Sequence, residues 1–308
     1  GLAAGTADSI LVPMGHYINS FSRNIGLVTD TQQEQLRHAR VAIAGCGGGG
    51  GGYIAALARA GVGKFSLADP DTFDWVNFNR QYGASAATVG RNKAVVMGDI
   101  VKGINPEADV RVLPAALNEA TIGGFLDGVQ VVLDGIDFFV PEARRLLYRS
   151  ARERRIPVVV GGPIGWSAAW QIWLPDGPSL EAFCGFTPDM PEEEVLIRYI
   201  VATTPGGTHL AYMRPASIDF SNHVAPSLGT VATMLHGIVA SEVVNLILKI
   251  RPVRAVPHYF QFDILTQQYR HGYLWWGNRN PIQRVKIWYV QRLLERGKRE
   301  RASAPATA

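Results

Sequence analysis

Cysteine is scarce in this sequence, with two residues among 308. Cys46 and Cys184 are too few for the disulfide framework of a small secreted protein. The sequence does not begin with the basic start, apolar run and small-residue cleavage site of a signal peptide. We therefore expect a reduced, cytoplasmic protein. With 47% hydrophobic and 18% charged residues, the chain has the balance of an ordinary globular protein.

The sequence also lacks a hydrophobic run that suits a membrane span. Its most apolar helical window, residues 231–250, contains His236, Glu242 and Asn245. Polar residues spaced through such a window favour a buried amphipathic helix. We expect no transmembrane segment.

A broad excess of positive charge is missing as well. The net charge is +4, and residues 284–301 hold seven Arg or Lys against two Glu, which is +5 and leaves −1 for the rest of the chain. A nearly neutral body does not favour nucleic-acid binding. We interpret the basic segment as an amphipathic helix packed on the domain. Contact with a partner or an anionic surface is the alternative.

Short apolar runs alternate with helical periods from residue 41 onwards. VAIAG at 41–45 and VVVGG at 158–162 are two of these runs. Continuous apolar runs between helical periods are typical of parallel strands covered on both faces. The predicted fold class is therefore α/β, a Rossmann-like, doubly wound and mostly parallel sheet with an antiparallel C-terminal extension.

Glycine, in contrast, is concentrated in one stretch, GCGGGGGGY at residues 45–53. A predicted strand precedes the stretch and a predicted helix follows it, which favours a tight strand-to-helix turn over a flexible linker. Gly45, Gly47 and Gly50 fit the pattern G-x-G-x-x-G, in which backbone N–H groups at a helix N-terminus contact phosphate. Asp69, at the end of the next predicted strand, fits a ribose-binding acid, with a simple turn former as the alternative.

Charged and amide side chains follow the neighbouring strands. They lie in ADPDTFDWVNFNRQ at 68–81, TVGRNKAVV at 88–96 and VVLDGIDFF at 131–139. Open α/β sheets bind their ligands at the carboxyl ends of such strands. Two cations, an amide pair and a carboxylate exceed the needs of hydride transfer and suit a triphosphate. Taken singly, each cation also fits a solvated surface position, and Asp137 also fits a helix N-cap. The residues are Arg80, Lys93, Asn77, Gln81 and Asp137, together with the ribose candidate Asp69.

Together these motifs resemble the ThiF/MoeB adenylyltransferases, a family that includes the ubiquitin-activating enzymes. The resemblance covers about residues 20–165, from SRNIG at 22–26 through the glycine stretch and the three segments above, and it includes INPEADV at 104–110. It implies a homodimer that uses ATP and Mg²⁺ to convert a carboxyl group into an acyl adenylate, with release of pyrophosphate. An ionised carboxylate needs no general base, so alignment and charge stabilisation suffice for this reaction.

The resemblance also implies individual roles. Asp69 would hold the ribose, Asp137 would position Mg²⁺, and Arg23 would reach the γ-phosphate from the other subunit. The residues implied around the ATP phosphates are Gly45, Gly47, Gly48, Gly50, Asn77, Arg80, Gln81 and Lys93. Gly51 and Gly52 lie beyond the motif, in a first helical turn that each should destabilise by about 1 kcal/mol relative to Ala. We expect either the substrate or a neighbouring element to approach the backbone there.

The sequence departs from the family at its cysteines. Many members hold a structural zinc with two C-x-x-C pairs, and two cysteines cannot supply four thiolates, so we expect no structural zinc. Members that form a thioester carry a cysteine just before the long helix, and SIDFSNHVAP at 217–226 has none. Cys184 on a predicted mobile loop is one candidate nucleophile. Direct attack by an amine, thiol or sulfide donor is the alternative. Cys46 is interpreted as a buried filler, and His223 as a cap or core residue, with proton transfer as its alternative role.

We divide the chain into four regions of one fold. They are a helical lead-in at 1–40 with an N-cap at Thr29 or Asp30, an ATP-binding adenylation domain at 41–175, a loop-rich crossover or lid at 176–225, and a C-terminal region at 226–308. The C-terminal region would contain a long helix, antiparallel strands and the basic helix. The activated carboxyl would belong to a ubiquitin-like or sulfur-carrier protein, a peptide or a small acid. The alternative functions are a non-catalytic nucleotide-binding scaffold subunit and an NAD-dependent oxidoreductase.

Overall fold

Short strands alternate with helices through the first half of the chain. The computed structural model describes residues 15–214, 217–219 and 222–303. The strands of this half are β1 (Arg40–Ala44), β2 (Lys64–Ala68), β3 (Asp109–Leu113), β4 (Val131–Asp134) and β5 (Val158–Ile164). The helices are α1 (His16–Phe21), α2 (Asp30–His38), α3 (Gly50–Ala60), α4 (Lys93–Ile104), α5 (Ile122–Phe125) and α6 (Pro141–Glu153).

The second half contains longer helices and the antiparallel strands. Strand β6 (Ser167–Trp173) leads into α7 (Leu180–Cys184) and α8 (Glu192–Thr203). The long helix α9 (Gly229–Leu248) follows, then the hairpin of β7 (His258–Asp263) and β8 (Gln268–Tyr273), and finally α10 (Pro281–Ser303). Residues 1–14 of the expected lead-in and the last five residues of the chain lie outside the described residues.

One sheet of eight strands organises the molecule, in the order β3-β2-β1-β4-β5-β6-β7-β8. The first five strands are parallel, and β6, β7 and β8 continue the sheet antiparallel. The strand order reverses between β1 and β4, which is the position where open α/β sheets bind ligands. The predicted fold class is confirmed.

Both faces of the sheet are covered by helices, as the apolar strands require. Successive side chains of a strand point to opposite faces, and β1 is buried along its whole length. Val41 and Ile43 join the core formed with α3 and α9, whereas Ala42 and Ala44 join the core formed with α6 and α8. The small alanines let the second helix layer approach the sheet closely.

Helix α9 has the length and apolar composition of a membrane span, and 56% of that stretch is buried inside the protein. Leu235, Val239 and Val243 lie in the core that covers β1 and β5. His236, Glu242 and Asn245 are also buried. The helix therefore forms the central support of one face of the sheet.

Two helices occupy the segment that we predicted to be a loop-rich crossover. Pro191 precedes α8, and Glu192, Glu193 and Glu194 form its first turn. Carboxylates at this position interact favourably with the positive end of the helix dipole. The proline and acidic residues that indicated a loop thus mark the start of a helix, so residues 192–203 are helical within the segment that we predicted to be a loop-rich crossover or lid.

The N-cap prediction holds at Thr29. The Thr29 side chain accepts a hydrogen bond from Gln32 N, and the Gln32 side chain accepts one from Thr29 N. This capping box satisfies two donors that the first turn of a helix otherwise leaves free. Helix α2 therefore begins at Asp30, directly before the central strand β1.

Candidate active site

A cavity of about 480 Å³ opens at the carboxyl ends of the parallel strands. The glycine turn after β1 forms one wall, and the ends of β2, β4 and β5 form the floor. Residues of α8 and α10 close the far side. The cavity lies at the strand-order reversal, where the sequence predicted the ligand site.

The glycine turn depends on glycine at Gly45 and Gly50 for backbone packing. Gly45 has a φ of +85°, and a Cβ there would overlap the backbone of Gly135 after β4. A Cβ at Gly50 would overlap the carbonyl oxygen of Gly45. Gly45, Gly47 and Gly48 line the cavity, whereas Gly50 lies beneath it. The turn thus presents bare backbone to the cavity at the N-terminus of α3, which favours an anionic ligand.

Gly52 is explained by a neighbouring element. His236 of α9 packs on α3 at this point, and a Cβ on Gly52 would overlap the imidazole ring. The His236 Nε2–H donates to Gly48 O at 2.7 Å, because a carbonyl oxygen only accepts. Burial lowers the pKa of His236, so the ring is neutral. We expected either the substrate or a neighbouring element to approach the backbone here. The structure shows a neighbouring element, helix α9, whose His236 also holds the glycine turn.

Gly52→Ala is expected to destabilise the protein by about 1–3 kcal/mol, because the added methyl forces His236 out of its place. Guanidinium unfolding monitored by circular dichroism measures this change. Gly237→Ala in α9 is the matched control, since a Cβ at Gly237 has no atom within 4 Å. The control should gain roughly 0.5–1 kcal/mol from helix propensity. Equal gains in the two variants would show that His236 does not need the space at Gly52.

Asp69 directly follows β2 and lies against the glycine turn. Its carboxylate accepts hydrogen bonds from Cys46 N at 2.6 Å and Asp71 N at 2.8 Å. Burial raises the pKa of Asp69, and the two backbone donors act in the opposite direction. Asp69 lines the cavity, so the structure places it where a ribose-binding acid is expected.

Arg80, Gln81 and Lys93 line the same cavity. Lys93 begins α4 and is nearly buried, and its Nζ lies 3.0 Å from Asp71 Oδ2. Arg80 passes beside Gly48, and its Nη1 donates to Val76 O at 3.0 Å and to Asn79 Oδ1 at 2.9 Å.

Gln81 Oε1 is a buried acceptor without a protein partner in the part of the chain that the structure describes. An orphan acceptor at a cavity wall suits a bound ligand or water.

Asn77 has a local role in the structure. Its Oδ1 accepts from Asp74 N at 3.0 Å and completes the capping box of the short 3-10 helix Trp75–Asn77. Asn77 does not line the cavity. The turn that it holds carries Arg80 and Gln81, so its contribution to the site is to place these two side chains.

Asp137 lines the cavity, whereas Arg23 does not. Asp137 follows β4 and lines the cavity, and its Oδ1 accepts from Phe139 N at 2.9 Å. Magnesium is held in nucleotide sites by one or two carboxylates together with substrate phosphates, so an exposed carboxylate here fits a Mg²⁺ ligand. Arg23 is exposed and does not line the cavity of its own chain.

A buried ion pair beside Asp137 was not predicted. Arg144 Nε donates to Asp134 Oδ2 at 2.8 Å, and Arg144 Nη2 donates to Ile136 O at 2.6 Å. The guanidinium stacks on the Tyr199 ring at 4.5 Å. Asp134 raises the pKa of Arg144 although burial acts against it. The pair therefore holds the loop that carries Asp137 against α6 and α8.

The two cysteines are both buried. The expectation for Cys46 as a buried filler is confirmed. Cys184 ends α7 in the core beside Phe183 and Trp173, and burial raises the pKa of its thiol. A buried thiol in a helix is not the exposed thiolate of a mobile loop, so the structure contradicts a nucleophilic role for Cys184. His223, for which proton transfer was the alternative role, lines the cavity, and its ring stacks on Phe139 with 4.8 Å between the ring centres.

The fold and cavity define a Rossmann-like α/β protein with a glycine turn of the nucleotide-binding type. The sequence profile of the ThiF family matches residues 21–280, and the chain belongs to that family. The tRNA threonylcarbamoyladenosine dehydratase of Haemophilus influenzae is 31% identical over 170 residues, which cover 54% of this chain and 64% of that protein. The molybdopterin-synthase adenylyltransferase of Salmonella typhimurium is 34% identical over 132 residues, covering 43% and 52%. The chain therefore spans about half to two thirds of the length of these curated relatives.

Solved structures share the fold at lower identity. PaaA has a TM-score of 0.63 at 19% identity, covering 88% of this chain and 77% of PaaA. Escherichia coli MccB, solved with ATP, has a TM-score of 0.61 at 19% identity, covering 85% and 73%. At these identities the likeness shows a common architecture.

Proposed function

We propose that the protein is an ATP-dependent adenylyltransferase that activates a carboxyl group as an acyl adenylate and releases pyrophosphate. The observation that carries the proposal is the shared cavity, in which the glycine turn faces Arg80, Lys93 and Asp137. Family membership and relatives named adenylyltransferase support it. The structural neighbour that was solved with ATP supports the choice of nucleotide.

The proposed chemistry needs positioning and charge stabilisation. A carboxylate attacks the α-phosphorus of ATP in line with the leaving pyrophosphate, and the α-phosphorus to bridging-oxygen bond breaks as the new bond forms. Backbone N–H groups of the glycine turn would bind the phosphates, while Arg80 and Lys93 would stabilise the charge that develops on their oxygens. Asp69 would bind the ribose. Mg²⁺, held by Asp137, would neutralise charge on the phosphates.

Two alternative functions have less support. A hydride-transferring enzyme needs no cluster of Arg80, Lys93 and Asp137 around the glycine turn, and these side chains line the cavity. A non-catalytic scaffold subunit would be expected to have lost the arginine, lysine or aspartate, and this chain retains all three. Persistent nucleotide binding without adenylation would favour the scaffold.

We further propose that the enzyme is a homodimer in which Arg23 reaches the partner's nucleotide. Arg23 belongs to a short 3-10 helix, Ser22–Asn24, directly before an exposed apolar segment. Leu27 is 90% exposed and Ile25 is 41% exposed. These exposed apolar side chains beside the cation support the proposal, because a partner chain would cover them.

ATP–pyrophosphate exchange tests the proposed activity. Incubation with ATP, Mg²⁺, labelled pyrophosphate and a panel of carboxylic acids and carrier-protein tails should return label to ATP only when the right carboxylate is present. Arg80→Ala should abolish this exchange, because it removes a phosphate-side cation. Exchange that persists in Arg80→Ala would overturn the role of that residue, and an NADH-dependent signal in place of exchange would overturn the activity.

A further inference from the structure

The cavity has a further part, lined by residues to which the proposed adenylation chemistry assigns no role so far. We call this part the distal chamber, and its walls come from the segment after α8 and from α10. The chamber is defined by His209, Leu210, Met213, Lys286, Val290 and Leu293.

Apolar side chains form most of this chamber. Ile287 and Leu294 of α10 pack on Ile197 and Val201 of α8. The neighbouring face of α10 then turns Lys286, Val290 and Leu293 toward the cavity, since residues three, four and seven apart share one helix face. The basic C-terminal helix is thus a wall of the cavity.

Lys286 is the cationic group of the chamber. Its side chain is half-buried, and its Nζ donates one hydrogen bond to Pro205 O at 2.5 Å. An ammonium group has three donors. Burial lowers the pKa of Lys286, and the positive charge of Arg270 lowers it further. The negative charge of a bound anion would stabilise the charged ammonium group and offset both effects.

His209 supplies a second donor. Gln261 Nε2 lies 3.3 Å from His209 Nδ1, so Nδ1 accepts from the amide and Nε2 carries the hydrogen. Burial lowers the pKa of His209 to about 4, which leaves a neutral ring at pH 7. His209 lines the cavity. No Asp or Glu is present among the described residues that define the chamber. The charge of Asp263 acts on His209 and opposes the effect of burial, and the Asp263 carboxylate already accepts hydrogen bonds from Tyr212 OH and Thr266 N.

We propose that the distal chamber binds a second carboxylate of the acyl substrate, with Lys286 and His209 as its donors. The enzyme then activates acids that carry two carboxylates separated by an apolar spacer, one carboxylate facing the ATP and the other facing α10. This inference rests on the proposed function and names its substrate class. A free diacid and an acidic peptide share this chemistry.

Binding of matched acids tests the chamber separately from catalysis. Isothermal titration calorimetry with α,β-methylene-ATP and Mg²⁺ compares adipate with hexanoate, which have equal length and differ by one carboxylate. A second pair, acetyl-Leu-Glu and acetyl-Leu-Gln, distinguishes a peptide source from a free diacid. A charge-assisted hydrogen bond should make the diacid bind about tenfold or more tighter in the natural protein.

Lys286→Met should abolish this preference, since it removes the charge and keeps an apolar chain of similar length. Lys298→Met is the matched control on the same helix, because Lys298 pairs with Glu193 and does not line the cavity. The control should keep the preference. Equal binding of the paired acids, no binding of any diacid, or an unchanged preference in Lys286→Met would each overturn the proposal.

Pyrophosphate exchange measured in parallel distinguishes the adenylation activity from carboxylate binding in the distal chamber. Diacid preference in binding without pyrophosphate exchange would support the chamber and contradict adenylation. Exchange with no preference for a second carboxylate would contradict the chamber and leave adenylation supported.

Discussion

Asp137→Asn is expected to slow ATP–pyrophosphate exchange on the order of 100–1,000-fold, as the loss of one preorganised electrostatic group does in other enzymes. The Asn side chain retains an oxygen that accepts from Phe139 N, the bond that Asp137 makes now. The substitution therefore removes the negative charge and keeps the local turn. Its effect should fall on Mg²⁺ dependence, with a higher magnesium concentration needed for half-maximal exchange.

The matched control for this variant is Asp127→Asn, which neutralises an exposed carboxylate that does not line the cavity. Exchange in this control should stay within about twofold of the natural protein, because an exposed ion pair contributes little. Unfolding curves of both variants should match that of the natural protein. If Asp137→Asn exchanges pyrophosphate at the natural rate and magnesium dependence, Asp137 does not hold the metal.

Arg144→Met is expected to lower the free energy of unfolding by about 3–5 kcal/mol, because it leaves the buried Asp134 carboxylate without its charged partner. The Asp134 side chain is fully buried and that of Arg144 is 5% exposed. The guanidinium is the charged partner that offsets the cost of burying this carboxylate. Urea unfolding followed by fluorescence measures the loss.

Arg149→Met on the same helix is the control for this prediction. Arg149 pairs with Glu119, and both side chains are more than half exposed, so this substitution should cost no more than about 1 kcal/mol. The double variant Asp134→Asn, Arg144→Met should recover part of the lost stability, since it removes the unpaired charge. Equal losses in Arg144→Met and Arg149→Met would contradict the proposed contribution of the buried pair.

The side of the cavity formed by the glycine turn was predictable from the sequence, because the motifs that form it are local. The glycine stretch lies between a strand pattern and a helix pattern, and the segments with Asp69, Arg80, Lys93 and Asp137 each follow a strand. Parallel topology then brings the strand ends to one edge of the sheet. Local pattern and topology agree here, and the structure places these residues around one cavity.

The sequence predicted a close neighbour at Gly52 but did not identify it. A glycine in the first turn of a helix costs stability, so something close to the backbone was expected. The neighbour is His236, which lies 184 positions later in the chain and reaches Gly52 through the packing of α9 on α3. No local pattern carries that information.

The distal half of the cavity could not be predicted from local patterns. In the sequence, Pro191 and the three glutamates after it indicated a loop, whereas in the structure they begin α8. Lys286 resembled one charge of a solvated helix face, and only the packing of α10 on α8 turns it toward the cavity. Asn77 fits a ligand motif in sequence, and its capping role depends on the fold of the turn that surrounds it.

The fate of the carboxylate oxygen distinguishes attack on the α-phosphorus of ATP from other ways of activating an acid. An acid that supports exchange is labelled with ¹⁸O in its carboxyl group and incubated with the protein, ATP, Mg²⁺ and an acyl acceptor such as hydroxylamine. Attack of the carboxylate on the α-phosphorus predicts AMP that carries one ¹⁸O atom, detected by mass spectrometry, together with unlabelled pyrophosphate. Unlabelled AMP, or ADP and labelled phosphate in its place, would exclude attack of the carboxylate on the α-phosphorus.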